Sequence, residues 1–420
     1  MIRKILLIAA ASAALTAQAQ AETLLDAMKN ALATNPTIEA QRARLDATRE
    51  ALPQARAAAL PSLSVSAGAD ASRRGGGGAP SSDTEDWSAS ASASQLLFSS
   101  GAVLASTRQA RARVAGAEAD YAGARQQLLL DVTTAYAALR EAHAIVDARG
   151  KTAENLDRQT RYAKARFDAG VTTRTDMAQA QARLAQARTN LIQSQGALVA
   201  ANESYRRLVG VAAGALEPAP AVTGLPATLD DALSLAVAQS PTLVSARAAE
   251  LNADAAVFAS RAARGPSIAL QAGAGLSDDF GEDSFGNARS DSVGLRFSIP
   301  LFTGGAASSR TREALALRSA SGLDRASVER ALRETVTTAW TGVETARSAY
   351  ASANEQVDAA AVAYRGVTLE QDVGLRANVE VLDQENDLLA ARLALAAAER
   401  ELVISQRRLL LAVGGLTEPR

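Results

Sequence analysis

The chain has 420 residues, 48% of them hydrophobic but only 4% aromatic, and its 44 basic side chains nearly balance 45 acidic ones. It has no cysteine and one histidine, which excludes disulfides and thiolate metal sites, and it lacks the basic excess typical of nucleic-acid binding. Without a metal-ligand cluster or a phosphate-binding glycine loop, the sequence predicts a protein that is not an enzyme and uses no metal or cofactor.

The first residues have the pattern of a secretory signal. Arg3 and Lys4 precede a short apolar stretch at 5–15, and the small residues at 19–21 are typical of a cleavage site. We therefore predict a signal peptide over residues 1–21 and export from the cytoplasm. No later apolar run reaches the roughly 18 residues that a membrane-spanning helix requires.

The rest of the chain is an internal duplication with an offset of 204 or 205 residues. Asn35-Pro36-Thr37 corresponds to Ser240-Pro241-Thr242, and Gly170 corresponds to Gly374. We predict two structural repeats joined by a linker rich in proline, glycine and alanine. The first repeat covers 22–213, the linker 214–227 and the second repeat 228–416.

Each repeat contains two runs in which apolar and polar residues alternate, as in a strand with one apolar and one polar face. We predict a β-hairpin over 61–97 with a loop at 72–86, and another over 266–301 with an acidic loop at 278–283. The runs have about the 9–11 residues of a tilted transmembrane strand. Ordinary hairpins half-buried on a soluble domain are the alternative.

Long helices are predicted after both hairpins, because 102–168 and 306–372 contain no proline. Each ends near a glycine, Gly170 or Gly374, which favours a tight turn. Helices over 175–211 and 378–413 then run back, so that each repeat ends in a helical hairpin.

Four strands cannot close a barrel in a membrane, because an open edge leaves backbone groups unpaired in lipid at several kcal/mol each. If the alternating runs cross a bilayer, several chains must therefore combine their strands. The faces rich in serine and glycine would then line a water-filled lumen.

With these features in this order, the sequence resembles the TolC-type family of bacterial outer-membrane efflux ducts. The most specific matches lie at 35–38, 60–63, 300–305 and 374–383. The resemblance implies an α+β membrane protein with an internal two-fold repeat. In that fold, long antiparallel helical hairpins form a periplasmic tunnel, and four β-strands per chain contribute to a trimeric, 12-stranded outer-membrane β-barrel.

The resemblance also implies a function in a tripartite export system of the bacterial envelope. A homotrimer in the outer-membrane lipid would bind a periplasmic adaptor (membrane-fusion) protein and an inner-membrane transporter. It would passively conduct small molecules or proteins to the outside. A non-gated periplasmic structural or adaptor protein with a coiled coil is the alternative from another class.

By the same resemblance, the two hairpin turns form a gated periplasmic entrance. Gly170 and Gly374 mark the turns. Glu380 and Asp383 match an acidic ring in which the family typically has two aspartates, and their i, i+3 spacing places them on one helix face.

Three further residues match the links that hold this gate shut. Arg376 and Asp176 match a linking arginine and aspartate, and Gln371 occupies the position of an expected tyrosine. Capping of the helix ends by the same side chains is the alternative role.

Overall fold

A computed structural model describes residues 22–76, 79–220, 222–279 and 288–416. The predicted signal peptide, residues 1–21, lies outside these ranges. The described residues form nine helices and four strands. In chain order these are α1 (Leu24–Thr34), α2 (Pro36–Arg49), α3 (Ala51–Ala57), β1 (Ser62–Gly76), β2 (Ala79–Phe98), α4 (Ala102–Asp168), α5 (Arg174–Val209), α6 (Leu229–Gln239), α7 (Pro241–Ala262), β3 (Ser267–Asp279), β4 (Ala288–Ser298), α8 (Ala306–Asp372) and α9 (Asn378–Ala412).

The four strands form one antiparallel sheet in the order β1-β2-β3-β4. The predicted loop at 72–86 was wrong, because both strands continue through it to the pair Gly76–Ala79. Arg73 and Asp83 face each other there and form a two-pronged ion pair at 2.7 Å, which supports strand pairing where the alternation of apolar residues fades. The start of the predicted acidic loop belongs to β3, and residues 280–283 lie outside the described ranges.

One face of the sheet is covered by hydroxyl groups. Ser64 pairs with Ser92 and Ser66 with Ser90, each with a 2.8 Å hydrogen bond between the hydroxyls. On β3 the same rows continue as glycine, where an added Cβ would approach the β4 serine hydroxyls to within 3.3 Å at Gly273. This face is therefore polar and lined mostly by small side chains, with Arg296 and Gln271 as a larger pair joined by a 2.9 Å hydrogen bond.

The other face is apolar and faces outward from the chain. Val293 is 79% exposed, and its neighbours along and across the sheet are also exposed. These neighbours include Leu63, Val65, Leu295 and Phe297. In a single chain this apolar face is exposed, as expected for a surface that faces lipid.

The chain divides into two compact units that cut across the sequence repeats. Among the described residues, the first unit contains those of 22–41, 121–241 and 329–416, and the second contains those of 42–120 and 242–328. Each unit therefore combines corresponding parts of both repeats. The second unit holds the whole sheet, and the first holds both helical-hairpin turns.

The core of the first unit ties the linker to the helices. The buried Tyr136 hydroxyl lies 2.9 Å from the carbonyl oxygen of Glu22 and 2.7 Å from that of Glu217. Tyr205 donates to the Glu22 carboxylate at 2.6 Å. Burial raises the pKa of Tyr136 to about 12, so both phenols stay protonated donors.

The longest helices, α4 and α8, have 67 residues each and coincide with the predicted helical stretches 102–168 and 306–372. Across the described ranges, no helix combines the length and apolar character needed to cross a membrane.

Candidate gate at the helical hairpin turns

The first turn joins α4 to α5 through a glycine-dependent cap. Gly170 has φ = 75°, in the left-handed region. The Val171 amide donates to the Arg166 carbonyl at 2.8 Å and the Gly170 amide to Phe167 at 2.9 Å. This pair of bonds is the Schellman motif, which satisfies carbonyls at the end of a helix.

The second turn, between α8 and α9, has the same backbone. Gly374 has φ = 83°. The Leu375 amide donates to the Glu370 carbonyl and the Gly374 amide to Gln371, both at 2.9 Å. The two turns are thus copies in backbone geometry as well as in sequence position.

In the first turn, hydroxyl groups hold the carboxylate. Thr172 and Thr173 each donate a 2.8 Å hydrogen bond to Asp176, and the Thr173 amide donates a third at 3.1 Å. The Asp176 amide donates back to Thr173, completing a capping box. These hydroxyl and amide donors hold the pKa of Asp176 below its usual value.

In the second turn, an arginine holds two carboxylates. Arg376 donates through Nε to Glu370 at 2.7 Å and through Nη1 to Glu380 at 2.5 Å. Glu380 also accepts a 3.3 Å bond from the Ala377 amide. These contacts lower the pKa of Glu380 and raise that of Arg376, although all three charged groups remain partly exposed.

Gln371, expected to be a linking residue, is only 2% exposed and bonds within its own turn. Its Nε2 donates to Asn378 Oδ1 at 2.9 Å, so it connects the end of α8 to the start of α9. In the single chain its amide is therefore already engaged locally.

The structure does not pair Arg376 with Asp176 within one chain, since each is held by residues of its own turn. One charged contact between the hairpins involves Asp383, whose carboxylate lies 3.4 Å from Arg183 of α5. Leu382, next to it, is buried among side chains of α4 and α5. These are Ala153, Leu156, Leu184 and Ala187.

A buried carboxylate was missed by the sequence analysis. Glu385 of α9 is 2% exposed and accepts hydrogen bonds from Thr152 at 2.9 Å and Asn155 at 3.0 Å, both on α4. Tyr364 of α8 also donates to it, and burial followed by the charge of Glu385 raises the pKa of Tyr364 to about 12. The signal was its spacing, because Glu385 lies three residues from both Leu382 and Leu388 on the buried side of α9.

This site holds helices together and presents charge. Within the described ranges, no group of three or more histidine, aspartate or glutamate residues could hold a metal ion.

Most of the chain matches a family of known proteins. A family model described as outer membrane efflux protein matches residues 27–211 and 232–415, one match for each repeat. The chain belongs to the outer membrane efflux protein family. As a member of this family, it is a channel protein of the outer membrane that serves efflux, which favours the channel over the adaptor alternative.

Two relatives and one solved structure illustrate the match. Outer membrane efflux protein BepC of Brucella suis is 31% identical over 316 residues, covering 74% of this chain and 69% of BepC. Outer membrane protein TolC of Vibrio cholerae is 26% identical over 98% of this chain and 95% of its own. The CmeC outer membrane channel of Campylobacter jejuni has the same fold, with a TM-score of 0.81 at 17% identity over 94% of this chain and 86% of CmeC.

Proposed function

We propose that three copies of this chain form one passive export duct with a gated periplasmic entrance. The observation that carries the proposal is the sheet, which has an exposed apolar face and whose outer strands β1 and β4 each pair with only one other strand among the described residues. In lipid the open edges of those strands would cost several kcal/mol for each unpaired backbone group. Neighbouring copies remove that cost by pairing β4 of one chain with β1 of the next.

Closure is consistent with the strand order. The four strands alternate in direction, so β4 and the β1 of another copy can pair antiparallel like all the other strands. Three chains give twelve strands. The serine and glycine face would then line the lumen, where uncharged hydroxyls let polar cargo pass without binding it tightly.

The gate lies at the hairpin turns in this proposal. Three copies of Glu380 and Asp383 form acidic rings near the axis, and the rings favour cations at the entrance. Arg376, Asp176 and Gln371 limit the movement of the hairpins, which turn about Gly170 and Gly374. In the single chain, Arg376, Asp176 and Gln371 bind residues of their own turns. Opening of the gate would either retain these contacts or replace them with others.

The energy for export comes from other proteins in this proposal. The duct performs no chemistry, uses no cofactor and binds a periplasmic adaptor and an inner-membrane transporter at its entrance. The cargo is a small molecule or a protein delivered by that transporter.

The assembly is tested by the mass of the mature protein in detergent, measured by light scattering with the detergent subtracted. We expect a particle of three chains that keeps its helix and strand content by circular dichroism. A folded monomer that is soluble without detergent would contradict the proposal.

The acidic rings are tested by ion selectivity in planar bilayers. The double variant Glu380→Gln, Asp383→Asn should lose most of its preference for cations. A matched control exists on α8, where Glu355 and Asp358 are also exposed and three residues apart. If neutralising the control pair changes selectivity as much as neutralising the ring pair, the rings do not lie at the constriction.

A further inference from the structure

Charge is sharply segregated where the helices meet the sheet. Helices α3 and α7 end at the side of the sheet where α4 and α8 begin, because β1 and β3 start there and β2 and β4 finish there. The stretches 51–60, 99–112, 255–266 and 299–312 contain seven arginines and no lysine, aspartate or glutamate. We call these residues the arginine belt: Arg56, Arg108, Arg111, Arg261, Arg264, Arg310 and Arg312.

The belt arginines are exposed, and no carboxylate among the described residues pairs with any of them. Further along α8 the pattern changes, because Arg318 pairs with Asp254 and Arg325 with Glu250. Arg108 is held over the ring of Phe258, 5.2 Å from its centre. The guanidinium groups beside the sheet are therefore left available to an external anion.

Both sequence repeats carry this feature. Arg56 and Arg261 are equivalent at an offset of 205, and Arg108 and Arg312 at an offset of 204. One arginine before each β-hairpin and one after it are thus present in both copies of the duplication, although many positions around them differ.

Helix electrostatics explains only part of the belt. Arg56 and Arg261 lie in the last turns of α3 and α7, where a cation is favourable. The arginines of α4 and α8 lie beyond the first turn of their helices, so the helix dipole does not account for them. Neither helix has an acidic residue in its first turn, and the first charged residue of each is an arginine.

Apolar side chains lie between the belt and the strands. Leu301 and Phe302, in the connection from β4 to α8, are 88% and 90% exposed, and Phe98 at the end of β2 is also exposed. At the other ends of the strands, the described side chains include six acidic groups against two arginines. The acidic groups are Asp70, Asp83, Glu85, Asp86, Asp278 and Asp291, and the arginines are Arg73 and Arg289. The end with the belt thus presents a layer of apolar groups followed by a layer of cations, as at a membrane surface.

We infer that the arginine belt binds the phosphate headgroups of anionic phospholipids in the leaflet next to the helices. A guanidinium matches two phosphate oxygens with parallel hydrogen bonds, and the neighbouring apolar side chains contact the upper acyl chains. The inference goes beyond the proposed duct and gate, and it requires only that the sheet crosses the membrane.

The test measures lipid binding to the purified full chain in a neutral detergent by native mass spectrometry. The probes are short-chain phosphatidylglycerol, phosphatidylcholine with the same acyl chains, and inorganic phosphate. The belt variant replaces four arginines by glutamine: Arg261, Arg264, Arg310 and Arg312. The control variant removes the same charge at four exposed arginines elsewhere: Arg42, Arg44, Arg207 and Arg330.

The unaltered protein should bind phosphatidylglycerol about tenfold more tightly than phosphatidylcholine. The belt variant should lose most of this preference, and the control variant should keep it. A version with lysine at the four belt positions should keep the charge attraction and most of the preference. Unchanged oligomer mass and channel conductance establish that each variant is folded.

Four outcomes would overturn the inference. The first is equal affinity of the unaltered protein for the two lipids. The second is an equal loss in the belt and control variants, which would mean a general charge effect. The third is binding of inorganic phosphate at the belt without any lipid preference. The fourth is a changed ion selectivity of the belt variant with unchanged lipid binding, which would place the guanidinium groups in the lumen.

Discussion

The two hairpin turns share one backbone but differ in how they hold charge. Gly170 and Gly374 make equivalent hydrogen bonds, whereas Thr172 in the first copy corresponds to Arg376 in the second. A neutral hydroxyl therefore holds Asp176, and a cation holds Glu380. Both copies of the duplication therefore have the left-handed glycine that a tight turn requires. They differ in the side chains that hold the carboxylate, on which the backbone of the turn does not depend.

The difference continues into the helix that follows each turn. Glu385 of α9 is buried between α4 and α8, whereas its counterpart in α5, Gln181, is exposed. Charge in the second hairpin thus lies both on its surface and in its packing with the first. The two hairpins are therefore joined by a buried polar contact whose carboxylate comes from the second hairpin.

The largest effect is expected from Glu385→Leu. The substitution leaves the donors of Thr152, Asn155 and Tyr364 without their acceptor, and each unsatisfied buried group costs about 1–3 kcal/mol. The free energy of unfolding, measured in urea by helix circular dichroism, should fall by at least about 1 kcal/mol. Gln181→Leu at the equivalent exposed position is the control. Equal losses in the two variants would show that Glu385 contributes nothing through its buried contacts.

The next effect concerns the gate. Arg376→Gln leaves Glu370 and Glu380 without their cation, and we expect a several-fold larger single-channel conductance in planar bilayers. Asp176→Asn should produce a smaller rise, because the two threonines hold that side chain to its own helix. Thr172→Val, at the position equivalent to Arg376, should leave conductance as it is. If neither Arg376→Gln nor Asp176→Asn changes conductance, these two residues do not hold the gate.

The sequence predicts best what depends on local rules. Helices α4 and α8 cover the stretches free of proline, 102–168 and 306–372, and the left-handed glycines lie where the repeat placed them. The loop prediction at 72–86 failed because cross-strand pairs, including Arg73 with Asp83, extend a hairpin that has lost its apolar alternation.

The contacts of the site depend on geometry that helical and strand periodicity do not predict. Arg376 meets Glu370 because the Schellman turn brings together residues six apart, and no helical spacing predicts that pair. Glu385 is buried because α4, α8 and α9 meet around it. Its apolar neighbours in the sequence indicate burial, but they do not predict which residues bind it.

The two turns have the same backbone conformation, so replacing the glycine of either turn should lower the free energy of unfolding by the same amount. Gly170→Ala and Gly374→Ala each place a Cβ in the left-handed region, and at both positions no described atom beyond the adjacent residues lies within 4 Å of that Cβ. The cost is then only conformational, about 1 kcal/mol in each case. Urea unfolding of the two variants checks this. A clearly larger loss at one turn would mean that its glycine is needed for contact with another chain.

The smallest effects concern how the two turns respond to acid and to salt. Because Asp176 and Glu380 both have lowered pKa values, their contributions are complete at neutral pH and are lost as the pH falls below about 4. The two turns should therefore respond alike to acid.

Salt should separate them, because at about 1 M the Debye length is near 3 Å and exposed ion pairs are screened, while hydrogen bonds from threonine are not. We expect hydrogen exchange of the Leu375 amide to accelerate about twofold in high salt and that of the Val171 amide to stay constant. These amides close the two Schellman motifs at 2.9 and 2.8 Å, so each reports on its own turn. The same salt response at both amides would mean that Arg376 does not stabilise the second turn, and that its contacts with Glu370 and Glu380 serve only the closed gate.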